Sequence, residues 1–258
     1  MQAVRSRPKP AEGGALAAAV LLSAAFSFLL AGCARPGPRP PETLVSKDGA
    51  YIVVIHEGVE AKEAKPVLAA LEAQAPRIRA DLGVSDPVPY SVHLRGSVGE
   101  YLEVMRGLIG GVFPGSTGYA AGRHRAEILL TPLAAQDAVH EYAHSVSLAW
   151  ARNWHNKPRW LWEAVALYEA GELVDPRSLP YLSEGEFPSL AELDEDYNSS
   201  DHRVYEVGYL LLDFLRGRWG MEKVKELVRS MGDIEVVLGL STSEFERDWA
   251  AFVRERYL

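Results

Sequence analysis

The chain has 258 residues, 48% hydrophobic and 24% charged, with a formal net charge of −8. Those values describe a globular protein with its own core. They exclude a low-complexity disordered chain and a polytopic membrane protein, which needs several long apolar runs where this chain has one. The acidic balance argues against nucleic acid as the main partner, because phosphate neutralisation takes a basic surface. The single cysteine leaves no internal disulfide to support the fold.

Arg5, Arg7 and Lys9 precede an apolar run over residues 15–31, and Gly32 and Cys33 follow, which is the order of a secretory signal. Leu30, Ala31, Gly32 and Cys33 spell LAGC and resemble a bacterial lipobox, in which the cysteine becomes the lipidated first residue of the mature protein. The resemblance implies a signal peptide over residues 1–32, lipidation of Cys33, and an extracytoplasmic protein held to a bacterial membrane by its lipid. An uncleaved membrane anchor and a plain signal peptide with an incidental cysteine are the other readings of the same residues. The leader carries more basic than acidic residues, so the remainder is more acidic still, and anionic headgroups would repel it. The lipid must then supply the attachment. The prolines of RPGPRPP, residues 35–41, predict an extended tether over residues 33–48.

A folded domain is expected over residues 49–258. The β-branched run YIVVIH at residues 51–56 predicts a strand. Residues 60–82 carry Val67, Leu68, Leu71, Ile78 and Leu82 at near-helical spacing, with Pro66 and Pro76 expected to start, kink or break one or two helices. A strand is predicted at residues 90–94, a helix at 98–109 ending in Gly110 and Gly111, and extended pieces at 118–122 and 127–131. Thr131 and Pro132 then read as the start of a helix running to about residue 150. Pro158 opens another that stops at Gly171. Helices at 203–218, 221–230 and 243–257 complete the chain. The expected fold is α+β: a small mixed sheet with helices (N-lobe, about residues 49–150) followed by a helical C-lobe (about 151–258), with a cleft between them.

Within the helix that follows Thr131 lie His140, Glu141, Tyr142, Ala143 and His144, an HExxH motif. Residues four apart share a helix face, so His140 and His144 can direct imidazole nitrogens at one zinc ion. Glu141 is offset by one position, beside the metal, where its carboxylate can take a proton from the attacking water. Two histidines and a glutamate are an established donor set for a catalytic zinc with an open position. Glu163, eighteen intervening residues after His144, supplies that glutamate. Glu169 is the competitor, but six residues further on it is rotated by about 120° on the same helix.

HEYAH followed by PRWLWEAVALYEAG resembles the gluzincin zinc peptidases, the clan of thermolysin and the zinc aminopeptidases, and most closely its small bacterial peptidase MA-like members. The similarity extends over residues 50–258 and includes the terminal segment EFERDWAAFVRERYL. It implies a zincin-like fold, zinc held by His140, His144 and Glu163, and Glu141 as general base. It also implies that the edge strand before the motif helix, with Gly118, Tyr119, Ala120 and Ala121, pairs with the substrate backbone. Two positions depart from the family. Ala164 stands where glycine is frequent, and Leu167 stands where thermolysin-like enzymes have an acid, so Asp137 or an acid of the helical lobe is expected to orient a ligand histidine.

Oxyanion stabilisation is assigned to Tyr205, with His202 in reserve; packing of Tyr205 and Tyr209 on one helix face is the alternative. The remaining histidines read as surface or satisfied residues, and most of Trp150, Trp154, Trp160 and Trp162 as packing. The expected activity is endopeptidase hydrolysis of a peptide or protein substrate. Its rivals are a catalytically silent scaffold and a zinc amidase acting on cell-wall material.

Overall fold

A computed structural model describes residues 41–258 apart from 86–88, 114, 153, 155 and 196–200. The expected leader, Cys33 and the Pro-rich run up to residue 40 lie outside the described residues. Five strands form one mixed sheet: β1 (Glu42–Val45), β2 (Tyr51–Ile55), β3 (Tyr90–Arg95), β4 (Gly118–Ala120) and β5 (Arg125–Leu129). Their order is β1-β2-β3-β5-β4, with β2, β3 and β5 parallel and the two edge strands antiparallel to their neighbours. The helices are α1 (Ala61–Asp81), α2 (Val98–Ile109), α3 (Ala134–Ser147), α4 (Arg159–Ala170), α5 (Pro180–Ser183), α6 (Leu190–Leu193), α7 (Arg203–Arg229), α8 (Ile234–Leu238) and α9 (Thr242–Arg256). The fold is α+β, with a helical C-terminal part.

Alternation in the strands decides which face is covered. Tyr51, Val53 and Ile55 lie in register with Tyr90, Val92 and Leu94, and Val92 and Leu94 with Ala126 and Ile128, all of them buried. Onto this apolar face pack α3 and α1, the latter through Ala64, Val67, Leu71, Ala75 and Ile78, spaced three or four apart. The core continues through α4 and α7 without interruption, so residues 41–258 form one compact unit. On the other face, α2 covers part of the sheet through Tyr101 and Met105, packed with Tyr119.

Several expectations need correction. Strand β1 falls inside the stretch read as tether, so the folded part begins before residue 49; its four residues are mostly exposed and carry no alternation to read. Helix α1 runs unbroken through Pro66 and Pro76. Both prolines are on its solvent side, where water can satisfy the carbonyls they leave free. Strand β5 lies two residues earlier than expected. Helix α3 starts at Ala134 because residues 131–133 make a preceding turn, in which the Thr131 hydroxyl accepts from the Leu133 N–H at 3.1 Å. The expected break near residue 219 is a non-helical Gly220, φ 78°, inside α7. Helices α5, α6 and α8 span only four or five residues, too few to show a period.

Candidate metal centre

The centre is built where α3 and α4 pack side by side and the start of α7 closes over them. On α3, the i, i+4 spacing puts the rings of His140 and His144 4.7 Å apart, nearly perpendicular. Glu163, in the second turn of α4, meets both: its Oε2 lies 3.3 Å from His140 Nε2 and 3.6 Å from His144 Nε2. All three side chains are buried, with donor atoms within 4.8 Å of one another, so this cluster can hold a metal ion. Two imidazoles and one carboxylate are donors that divalent transition metals accept.

The sequence-based alternative, Glu169, is placed elsewhere. It is fully buried toward α1, where its Oε2 accepts from Arg77 Nη1 at 2.9 Å while Oε1 has no hydrogen-bond partner among the described residues. Burial, with Asp81 adding to it and Arg77 opposing, pushes its pKa up to about 7 from 4.5. Between those two pH values the folded chain keeps a proton that the unfolded chain releases, so stability falls as pH rises through the window and levels off above it. Glu169→Gln removes this loss. Relative to the wild type, the variant is expected to gain about 3 kcal/mol on going from pH 5 to pH 8, read from urea unfolding at both values. An equal difference at the two pH values would show that Glu169 ionises normally inside the fold.

The expected orienting acid is Glu172. Gly171, φ 72°, ends α4 with a Schellman turn in which Gly171 N–H bonds to Tyr168 O and Glu172 N–H to Leu167 O. That turn folds Glu172 back beside α3, where its Oε1 lies 3.0 Å from His140 Nδ1. The imidazole can then donate from Nδ1 to Glu172 and present Nε2 as a ligand. Burial disfavours a charged His140, yet its bonds to Glu163 and Glu172 outweigh that and hold its pKa well above the ordinary value. Among the described residues His144 has no such acid. Its Nδ1 lacks a hydrogen-bond partner among the described residues, its ring lies flat on Trp162 at 4.1 Å, and burial pushes it down to about 4. Glu163, whose burial alone would raise its pKa, is held well below the carboxylate range by the two imidazoles.

Beside these residues opens a cavity of about 540 Å³ lined by parts of α3, α4, the start of α7 and the edge strand β4. Glu141 faces it, only 7% exposed and without a hydrogen-bond partner among the described residues. Burial, with the charge of Glu163 adding to it, pushes Glu141 up to about 8. Gly118 packs directly on it: a Cβ at this position would stand 3.0 Å from Glu141 Oε1 and 3.2 Å from its Cγ. The missing side chain therefore lets the edge strand lie against the carboxylate. Gly118, Tyr119 and Ala120 border the cavity, although alternation carries the Tyr119 ring to the other face, against Tyr101 at 5.6 Å. Ala121 does not line the cavity; it packs with the cluster under α2.

Tyr205 reaches the cavity from α7, its hydroxyl 3.5 Å from Glu163 Oε1. A close helix crossing puts it there. A Cβ on Gly208 would meet Leu167 Cδ1 at 2.5 Å and Ala164 Cα at 3.3 Å, so α7 can approach α4 only because this residue is glycine. Burial and the Glu163 charge raise the pKa of Tyr205, which keeps the phenol a proton donor. The reserve residue His202 also lines the cavity. Trp154 is fully buried, Trp160 packs on Phe245, and Trp150 donates to Leu82 O at 2.8 Å; of the four tryptophans only Trp162 borders the cavity. His56 and His93 are paired on the far side of the sheet, 3.1 Å between ring nitrogens.

Ile109, Phe113, Gly115, Ser116, Thr117 and Asn156 also line the cavity; residues of these kinds in loops and helix ends carry no motif in the sequence. A scan against protein-family models matches none, and a search of curated proteins finds no similar one, so the functional reading rests on the centre itself.

Proposed function

We propose that this chain is a metal-dependent peptidase of gluzincin type, with zinc held by His140, His144 and Glu163. One observation carries the reading: a two-histidine, one-glutamate cluster lies beside buried Glu141, which has no hydrogen-bond partner among the described residues, and both face one cavity bordered by a sheet edge. A structural metal site has no use for such a carboxylate and closes with a fourth protein ligand. When bound, zinc would supply Lewis acidity toward the scissile carbonyl and make water at its open position more acidic.

The chain's own residues do the rest. Glu141 takes a proton from the attacking water and delivers it to the departing amine. Tyr205 donates from its phenol to the oxygen that gains negative charge. The backbone of β4, bonded to β5 on one side only, offers its other edge to an extended substrate segment. Glu172 fixes the tautomer and orientation of His140. The LAGC resemblance at residues 30–33 supports lipid attachment at Cys33 outside the cytoplasm; among the described residues no helix is long and apolar enough to cross a membrane.

The test is hydrolysis of a mixed peptide library and of cell-wall fragments by the purified protein, with and without chelator and with zinc restored. Peptide cleavage that disappears on chelation and returns with zinc is the expected result. Metal-dependent cleavage of the cell-wall fragments alone would replace the peptidase with an amidase, and no hydrolysis of either would leave a binding protein.

A further inference from the structure

Among the described residues four carboxylates border the cavity, Asp137, Glu141, Glu163 and Glu172, and none of the lining is a lysine or arginine. Arg159, a buried cation of this region, is not part of the lining. Its guanidinium lies 5.3 Å from the centre of the Tyr205 ring and donates to Glu195 O at 2.9 Å. A divalent ion held by Glu163 would offset part of that negative charge. Glu163 is spent on that ion, Glu172 on His140, and Glu141 is reserved for proton transfer. Asp137 has no such task.

Asp137 precedes His140 by three residues and Glu141 by four, so it opens onto the same cavity from one turn earlier on α3. The Oδ2 of its carboxyl is shielded from solvent and has no hydrogen-bond partner among the described residues. Glu141, a buried carboxylate without a hydrogen-bond partner among the described residues, faces the same space. A buried acceptor with no donor is costly unless a ligand brings one. Ile109 and Phe113 give the cavity an apolar wall on which a methylene stem can lie while its charged end reaches an acid.

We infer that the cavity selects peptides bearing a positive group close to the cleaved bond, and that Asp137 is the residue that recognises it. This inference rests on the peptidase reading. The group is an ammonium or guanidinium, and it can come from a lysine or arginine side chain or from a free amino terminus.

The test uses quenched fluorescent peptides of one scaffold and the zinc-loaded protein. One set is N-acetylated with Lys, Gln or Glu beside the scissile bond; another has neutral side chains and a free amino terminus. The Lys peptide is expected to exceed the Glu peptide at least tenfold in kcat/KM, with the gap narrowing as salt is added. Asp137→Asn should bring that ratio close to one and Asp137→Glu should restore it, both variants being checked for zinc content and circular dichroism. Binding gives a second readout: the zinc-loaded Glu141→Gln variant should hold the Lys peptide more tightly than the Glu peptide in fluorescence anisotropy. Preference for the free amino terminus over acetylated Lys would assign the positive group to the terminus. Equal or faster cleavage of the Glu peptide, or a ratio unchanged in Asp137→Asn, overturns the charge preference and leaves the peptidase standing. Cleavage of no peptide overturns the peptidase and the preference with it.

Discussion

Glu141→Gln is expected to bind zinc as the wild type does and to lose about a thousandfold in peptide hydrolysis, the scale of a positioned general base. The substitution keeps shape and volume at a site where Gly118 leaves little room, so the edge strand stays in place. It removes only the ability to accept and return a proton. The metal cluster of His140, His144 and Glu163 does not include Glu141. Loss of activity with zinc retained therefore separates proton transfer from metal binding. Glu141→Gln should also be no less stable, since a neutral amide replaces a buried carboxyl whose ionisation is disfavoured. Full activity in this variant would remove the proposed base, and loss of zinc along with activity would make Glu141 part of the metal site.

The local part of this arrangement is legible in the sequence. HExxH works through the i, i+4 geometry of one helix, and Glu163 needs only a second helix that returns alongside the first. The Gly171 stop was equally legible, because a left-handed residue there requires no side chain. Glu172 was anticipated only as an unspecified acid. Its reach to His140 depends on a Schellman turn and on the lateral packing of α4 against α3, neither of which leaves a spacing rule. Tyr205 depends likewise on Gly208, a residue that looks unremarkable in sequence and is decisive only because Ala164 and Leu167 press against it.

The misreadings have a common physical origin. Periodicity reports burial, so elements that bury little escape it: β1 is paired but exposed, and α5, α6 and α8 are shorter than two turns. Pro66 and Pro76 leave one or two helices open in the sequence, because a proline's cost in a helix depends on whether the freed carbonyl faces water. The substrate-strand reading concerns the backbone of Gly118, Tyr119 and Ala120, which borders the cavity, while the Tyr119 ring points to the opposite side and joins the Tyr101 cluster.

The metal itself gives the other large expected effect. Zinc at a hundred times its dissociation constant should stabilise the protein by about 2.7 kcal/mol, seen as a rise in Tm that chelator reverses. The residues should divide by rank in a zinc titration with elemental analysis. His144→Ala and Glu163→Gln each remove a donor and should abolish stoichiometric binding. Glu172→Gln leaves all three donors but gives His140 a weaker acceptor, and should lower affinity about ten- to a hundredfold. Asymmetry between the two histidines sharpens the case. His140 is oriented by a carboxylate at 3.0 Å and His144 by the flat indole of Trp162, so Trp162→Leu should weaken zinc binding without removing a single hydrogen bond to the donors. Affinity in every variant that still binds should fall as pH falls, because both imidazoles must give up their protons to ligate. Zinc retained at one equivalent in both His144→Ala and Glu163→Gln would place the ion elsewhere, and the hydrolytic reading would lose its foundation.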